Sequence, residues 1–282
     1  MTNRLQWDVF VSAQIPVVTD NLPPGASETR WSPISSTLIS GKRDAVLVDT
    51  AITVDQNHKL ADWIAGSGKN LTAIHATHGH GDHFFGVDTI QKRFPNARFV
   101  ATREVIDVMR KQASVPVVES YWKPRFPGQI DSTLVIADEL KGSVLELEGE
   151  QLVSVPLGHT DTDSTTCLHA PSIGLAVCGD ELYNDVHLHY LGESDAEGRQ
   201  EWIAALDTIE SLKPVAVIAG HKRAGAPDTP NNIEATRKYI RDFDRIASQT
   251  KTALELYNEM LAIYPERVNP AVLWYSAQAV KR

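Results

Sequence analysis

The run LTAIHATHGHGDHFFG (residues 71–86) constrains the fold more than any other stretch of the chain. Its first half is apolar enough to be a strand covered on both faces. Its second half places His78, His80, Asp82 and His83 within six positions. A buried strand that ends in four such side chains must give them partners, because unpaired polar groups cost free energy away from water. Imidazoles with a carboxylate are donors that zinc and similar borderline ions favour. Gly79, Gly81 and Gly86 let the backbone turn tightly, so that neighbouring side chains can converge. A solvated polar turn would explain any one of these histidines, but it does not explain the four together.

Further candidate donors close apolar runs elsewhere. His159 follows LVSVPLG, Asp180 follows LAVCG and His221 follows VAVIAG. Taken singly, each has an ordinary explanation as a turn or surface residue. Strand ends gather on one edge of a sheet, however, so residues far apart in sequence can meet there. The surrounding pattern supplies such edges. ISSTLIS and AVLVDT read as strands, and a helix is expected over Val54–Ala65, ended by Gly66 and Gly68. Strand and helix then alternate through REVIDVMRKQA. TLVIADEL, SVLELEGE, QLVSVPLGH, TTCLHAP and GLAVCGD read as strands, EWIAALDTIESLK as a helix, and PVAVIAG as a strand. From about residue 231 to 282 the pattern is helical, in three pieces separated by QT and YPERVNP.

With 282 residues, 42% of them hydrophobic, and no repeat or flexible linker, a single domain over residues 1–282 is expected. The net charge is −9 and no basic run is evident, so no nucleic-acid partner is expected. No apolar run reaches the roughly 18 residues of a membrane span, so no membrane partner is expected either. The start MTNRLQWDVF lacks a basic segment followed by a long apolar one, and a cytoplasmic location is the expectation. Cys167 and Cys178 sit in apolar segments and read as buried free thiols.

At these residues the sequence resembles the metallo-β-lactamase-fold hydrolase superfamily. The resemblance rests on His78, His80, Asp82 and His83, then His159, Asp180 and His221, with Asp49 in VLVDT matching an early strand-end aspartate. It implies an αβ/βα sandwich, two mixed sheets flanked by helices, here with a helical C-terminal extension. It also implies that His78, His80 and His159 bind one metal, that Asp82, His83 and His221 bind a second, and that Asp180 bridges them. Two zinc ions per chain are the expected cofactor, with Mn, Fe or Co also accepted by such donors. A bridging carboxylate offsets the repulsion of two cations about 3.5–4 Å apart, and bound water becomes a nucleophile at neutral pH. Asp49 and Thr77 read as supports that orient a ligand imidazole, with strand capping as the plainer role of Asp49.

Tyr183, three residues after Asp180, resembles the tyrosine of lactone-hydrolysing members. In that reading it donates to the oxyanion while Asp82 carries the proton to the leaving atom; the plainer reading packs Tyr183 beneath the loop. VPVVESYWKPRFPGQI (residues 115–130) has no clear period and reads as an ordered excursion. Its Tyr121, Trp122 and Arg125, with Phe84, His187 and Lys222, are the candidate substrate-pocket residues; packing against the body is the alternative. His75 reads as a satisfied core residue. The tail either covers the sandwich or forms a homodimer interface. The function expected is hydrolysis of a small-molecule cyclic ester or amide, a lactone or lactam. The alternatives are a thioesterase resembling hydroxyacylglutathione hydrolase and a mononuclear iron persulfide dioxygenase.

Overall fold

The computed structural model describes residues 5–281. Two sheets pack face to face. The first runs in the order Gln6–Val11, Ser35–Ser40, Asp44–Val48, Asn70–His75, Arg98–Ala101 and Asp138–Glu139. It is antiparallel for its first three strands and parallel thereafter. The second runs Ala216–Ile218, Leu175–Val177, Thr165–Ala170, Glu150–Gly158 and Val144–Leu147. Only its Ala216–Ile218 pairing is parallel.

The period-two geometry of strands divides their side chains between layers. Val46 and Val48 point between the sheets, where they join Ile39, Leu152, Leu168, Leu175 and Ile218. Leu47 points outward into a cluster with Leu60 and Ile64 of the helix Val54–Gly66, and with Met109 of Arg103–Gln112. On the opposite outer face Cys167, Ala176 and Val217 meet Trp202 and Leu206 of the helix Ala196–Ser211. The result is helix, sheet, sheet, helix. Helix Val54–Gly66 starts where its chemistry says it should, because Thr53 and Gln56 form a reciprocal capping box.

Two expectations change in detail, and the three-piece helical tail does not. TLVIADEL pairs only over Asp138–Glu139, at the sheet edge. The excursion at 115–130 is a chain of helical turns, Val115–Val117, Val118–Trp122 and Lys123–Arg125, in which the middle one is π-helical. Its Trp122 and Phe126 are buried in the first outer cluster, which anchors the segment to the body. The tail forms Asn231–Gln249, Ala253–Ile263 and Pro270–Val280. These helices close the second outer cluster with Tyr239, Ile240, Phe243, Leu256, Tyr257, Met260 and Leu273. Leu254 instead stays 47% exposed. Both cysteines are buried and free. Among the described residues no helix is long and apolar enough to cross a membrane.

Removing the tail would strip the cover from Trp202, Leu206 and Ile209. Burying one large apolar side chain contributes roughly 1.5–3 kcal/mol. A chain ended after Thr229 is therefore expected to lose cooperative unfolding, as read by thermal denaturation and circular dichroism. A truncated chain with an unchanged sharp transition would refute this.

Candidate metal centre

The strand ends Val48, His75, Gly158, Val177 and Ile218 lie on one edge, and the loops that follow them converge. Among the described residues three donor trios form there, His78 with His80 and Asp161, Asp82 with His83 and His221, and Asp49 with His78 and His83. Within each, the donor atoms lie within 4.8 Å of one another. Asp180 lies against the second trio. Its Oδ1 is 3.2 Å from His83 Nε2 and its Oδ2 is 3.2 Å from His221 Nε2.

Three of the four imidazoles are each aimed by a fixed partner. His83 Nδ1 meets Asp49 Oδ2 at 3.1 Å, His78 Nδ1 meets Thr77 Oγ1 at 3.0 Å, and His221 Nδ1 donates to the Pro33 carbonyl at 2.9 Å. The three Nε2 atoms are thereby left facing inward. Asp49 also accepts the Thr77 backbone N–H and hydroxyl, both at 2.8 Å. Its own backbone is left-handed, with φ of 60°. This is an uncommon conformation for a residue with a side chain, though aspartate is among those that tolerate it. The loop packing is equally tight. A Cβ on Gly220 would come within 2.2 Å of Asp180 Oδ1, so this position requires glycine.

The inward-facing atoms are the decisive feature. His78 Nε2, His83 Nε2, His221 Nε2, Asp161 Oδ2 and Asp180 Oδ1 are all buried and make no hydrogen bond. Buried polar atoms are rarely left this way. Five of them converging suits divalent cations, which take lone pairs rather than protons. The electrostatics agree. Burial would by itself favour neutral imidazoles, but Asp180 overrides it, holding His83 well above its usual range and raising His221 to about 9. Burial likewise opposes protonation of His80, and Asp161 reverses that. His78 is lowered by burial and by neighbouring His83. Burial pushes against ionisation of Asp180, yet His221 and His83 hold it well below the carboxylate range. The cluster therefore calls for positive charge at its centre.

Not every expected residue arrives. His159 does not reach the first trio. Its Nδ1 meets Asp163 Oδ1 at 2.7 Å and its Nε2 meets Ser194 Oγ at 2.9 Å, with the side chain 23% exposed. A bulge between Pro156 and Gly158 turns the strand end, and Asp161, two residues on, faces inward in its place. Tyr183 is fully buried and donates its hydroxyl to Asp180 Oδ2 at 2.8 Å. Phe84 and Trp122 are core residues, Lys222 pairs with Asp228, and His187 meets the Tyr239 hydroxyl at 2.7 Å. None of these four lines the cavity beside the cluster. His75 is buried beside Ser154, with Nε2 and Oγ 3.2 Å apart.

That cavity holds about 300 Å³ and is walled by Trp31, Tyr121, Arg125, His189, Tyr190 and Tyr275, among others. Three of these residues touch the donor cluster. Trp31 Nε1 donates to Asp82 Oδ2 at 2.9 Å, the Tyr190 ring lies 4.9 Å from that of His80, and His189 stacks 4.7 Å from His221. The Tyr121 and Tyr190 hydroxyls are 3.0 Å apart, and the Arg125 guanidinium lies 3.7 Å over the Tyr121 ring. Sequence reasoning missed Asp161, Trp31 and Tyr190 as site residues. Only for Asp161 was there a usable signal, its place one turn after a strand end.

Residues 29–221 match the family described as the metallo-beta-lactamase superfamily. Solved structures are similar in fold. A metallo-beta-lactamase family protein from Thermus thermophilus has a TM-score of 0.61 at 17% identity, over 96% of this chain and 92% of that one. The metallo-beta-lactamase FIM-1 from Pseudomonas aeruginosa, in its mono-zinc form, has a TM-score of 0.58 at 14% identity, over 86% and 93%. A metallo-beta-lactamase from Pontibacter korlensis has a TM-score of 0.59 at 15% identity, over 85% and 100%. Among curated proteins no sequence relative matches.

Asp49 orients both Thr77 and His83, so Asp49→Asn should weaken divalent-metal binding by about 10–100-fold while the fold persists. Calorimetric titration of metal-stripped protein reads this directly. An unchanged affinity would leave Asp49 as a strand cap.

Proposed function

Because the chain belongs to the metallo-beta-lactamase superfamily, we propose that it is a binuclear metal-dependent hydrolase that opens a small cyclic ester or amide. The observation that carries this reading is the convergence of five buried nitrogen and oxygen atoms that make no hydrogen bond, beside a cavity of small-molecule size. His78, His80 and Asp161 would hold one ion, and Asp82, His83 and His221 the other. Asp180 stands beside the second trio as the candidate shared anion. Two zinc ions are the proposed cofactor. Bound there, they would supply a hydrolytic nucleophile at neutral pH and polarise the substrate carbonyl.

The protein's own groups divide the remaining work. Trp31 lines the cavity and fixes Asp82 Oδ2, so Asp82 stands directly behind the cavity wall, where it can carry a proton to the leaving oxygen or nitrogen. Tyr183 is sealed from the cavity and keeps Asp180 in place. The phenol that faces the substrate is then Tyr190, whose ring packs on His80 and whose hydroxyl meets that of Tyr121. Tyr190 holds a left-handed backbone, with φ of 55°. For an aromatic residue this is a true outlier, and such strain concentrates at functional sites. Arg125 and the tyrosines suit a substrate with an apolar or aromatic body and a polar end.

Two experiments test the reading. Removal of metal with a chelator should abolish hydrolysis across a panel of lactones, β- and γ-lactams and thioesters, and added zinc should restore it. Full activity in demonstrably metal-free protein would sink the proposal; turnover of thioesters alone would move it to a thioesterase. In the second, Tyr190→Phe should lower kcat by up to about 10²-fold with metal content unchanged, as expected for one lost donor to the developing oxyanion. Tyr183→Phe should instead act mainly through weaker metal retention. Equal kinetics for Tyr190→Phe and wild type would remove Tyr190 from the chemistry.

A further inference from the structure

We infer that His189 donates a hydrogen bond to the leaving atom of the substrate, and that a relay from Asn269 through Ser32 fixes the imidazole tautomer this role requires. The role rests on the centre being hydrolytic; the relay does not.

Asn269 Nδ2 donates to Ser32 Oγ at 2.8 Å. A serine hydroxyl has one proton to give and two lone pairs to offer. With a lone pair taken by Asn269, the Ser32 proton goes to the other partner of its oxygen, His189 Nε2, 2.8 Å away. An imidazole nitrogen that accepts carries no proton, so the ring N–H of His189 sits on Nδ1. All three residues are buried, which keeps water from competing for these bonds. Asn269 is diverted to this purpose. It opens the helix Pro270–Val280, where an asparagine side chain ordinarily accepts a backbone N–H of the first turn. Here it makes no such cap, and its backbone is left-handed, with φ of 60°.

The Nδ1 edge is what His189 has left for the cavity it lines. Nδ1 makes no hydrogen bond among the described residues, and it is not one of the sealed atoms of the interior. The ring is held flat against His221, with centroids 4.7 Å and planes 17° apart, and lies 5.1 Å from the Trp31 ring. Trp31 in turn holds Asp82, the proposed proton carrier to the leaving atom. Tyr190 packs instead on His80, in the other trio. The cavity thus has one donor beside each trio. With Tyr190 on the carbonyl oxygen, His189 falls on the side where the leaving oxygen or nitrogen gains negative charge. A fixed N–H there binds the transition state more strongly than the ground state. His189 keeps its proton throughout, and Asp82 supplies the one that departs with the product. Such a donor matters most for basic leaving atoms, so the substrate class it favours is alkyl rather than activated aryl esters and amides.

Nitrogen-15 spectroscopy of zinc-loaded protein labelled at histidine reads the tautomer without any substrate. His189 should carry its proton on Nδ1, its resonance being assigned by its loss in His189→Phe. In Asn269→Asp the Ser32 hydroxyl turns to the new carboxylate, and the His189 proton should move to Nε2. If that variant does not fold, Ser32→Ala should leave a mixture of both tautomers. Kinetics then compare alkyl lactones, aryl lactones and aryl lactones with electron-withdrawing substituents. His189→Phe keeps the stack on His221 and removes the donor. Its kcat should fall by up to about 10²-fold on alkyl lactones and little on the activated aryl ones, with zinc content unchanged. His189→Asn returns an amide N–H near the place of Nδ1 and should recover most of the loss. A proton on Nε2 in an active wild type would overturn the inference and leave the proposed activity standing. An equal loss on every lactone, or no loss at all, would overturn it too. A chain that shows both expected tautomers but cleaves no lactone, lactam or thioester would refute the proposed activity and the donor role, and leave only the relay.

Discussion

Three carboxylates, Asp82, Asp161 and Asp180, are buried within reach of four imidazoles. Removing carboxylates from water costs several kcal/mol each unless positive charge or proton donors compensate. In this protein the compensation is incomplete by geometry. Five donor atoms face one another without hydrogen bonds, and the imidazoles beside Asp180 are driven toward the protonated form. A divalent cation is the species that satisfies such a set without protons.

The rest of the fold can be understood as what holds those groups in place. Two sheets stacked with alternating side chains bring five strand ends to one edge. Behind the imidazoles stand Asp49, Thr77 and the Pro33 carbonyl, each fixing which nitrogen looks inward. Asp49 accepts a left-handed backbone to do so, and Gly220 gives up a side chain so that Asp180 can pass close to its backbone. These are local concessions, offset by the three apolar clusters that surround them.

The cavity is assembled from segments with no sequence relation to the donors. Trp31 comes from a short strand near the start, Tyr121 and Arg125 from the helical turns after residue 115, and Tyr275 from the last helix. The excursion and the tail thus serve both stability and site. Trp122 is buried under the turn that presents Tyr121, and Leu273 is buried beneath the helix that presents Tyr275.

The sequence by itself determined the order of strands and helices and most of the donor set, and the layered architecture followed only from the family resemblance that those donors carry. Periodicity, capping and apolar runs are local signals, and His78, His80, Asp82 and His83 fall near one another because they lie within six positions. The strand ends at Asp180 and His221 were legible for the same reason: a strand buried on both faces leaves its ends as the only place for a polar side chain. What the tertiary structure alone decided is direction. Whether His159 or Asp161 enters the centre depends on a bulge of one residue and on a glycine in a helix that begins more than thirty positions later. Whether Tyr183 or Tyr190 faces the cavity depends on Asp180 having claimed the first hydroxyl. Such choices are set by contacts between distant segments, and side-chain spacing along a strand carries no record of them.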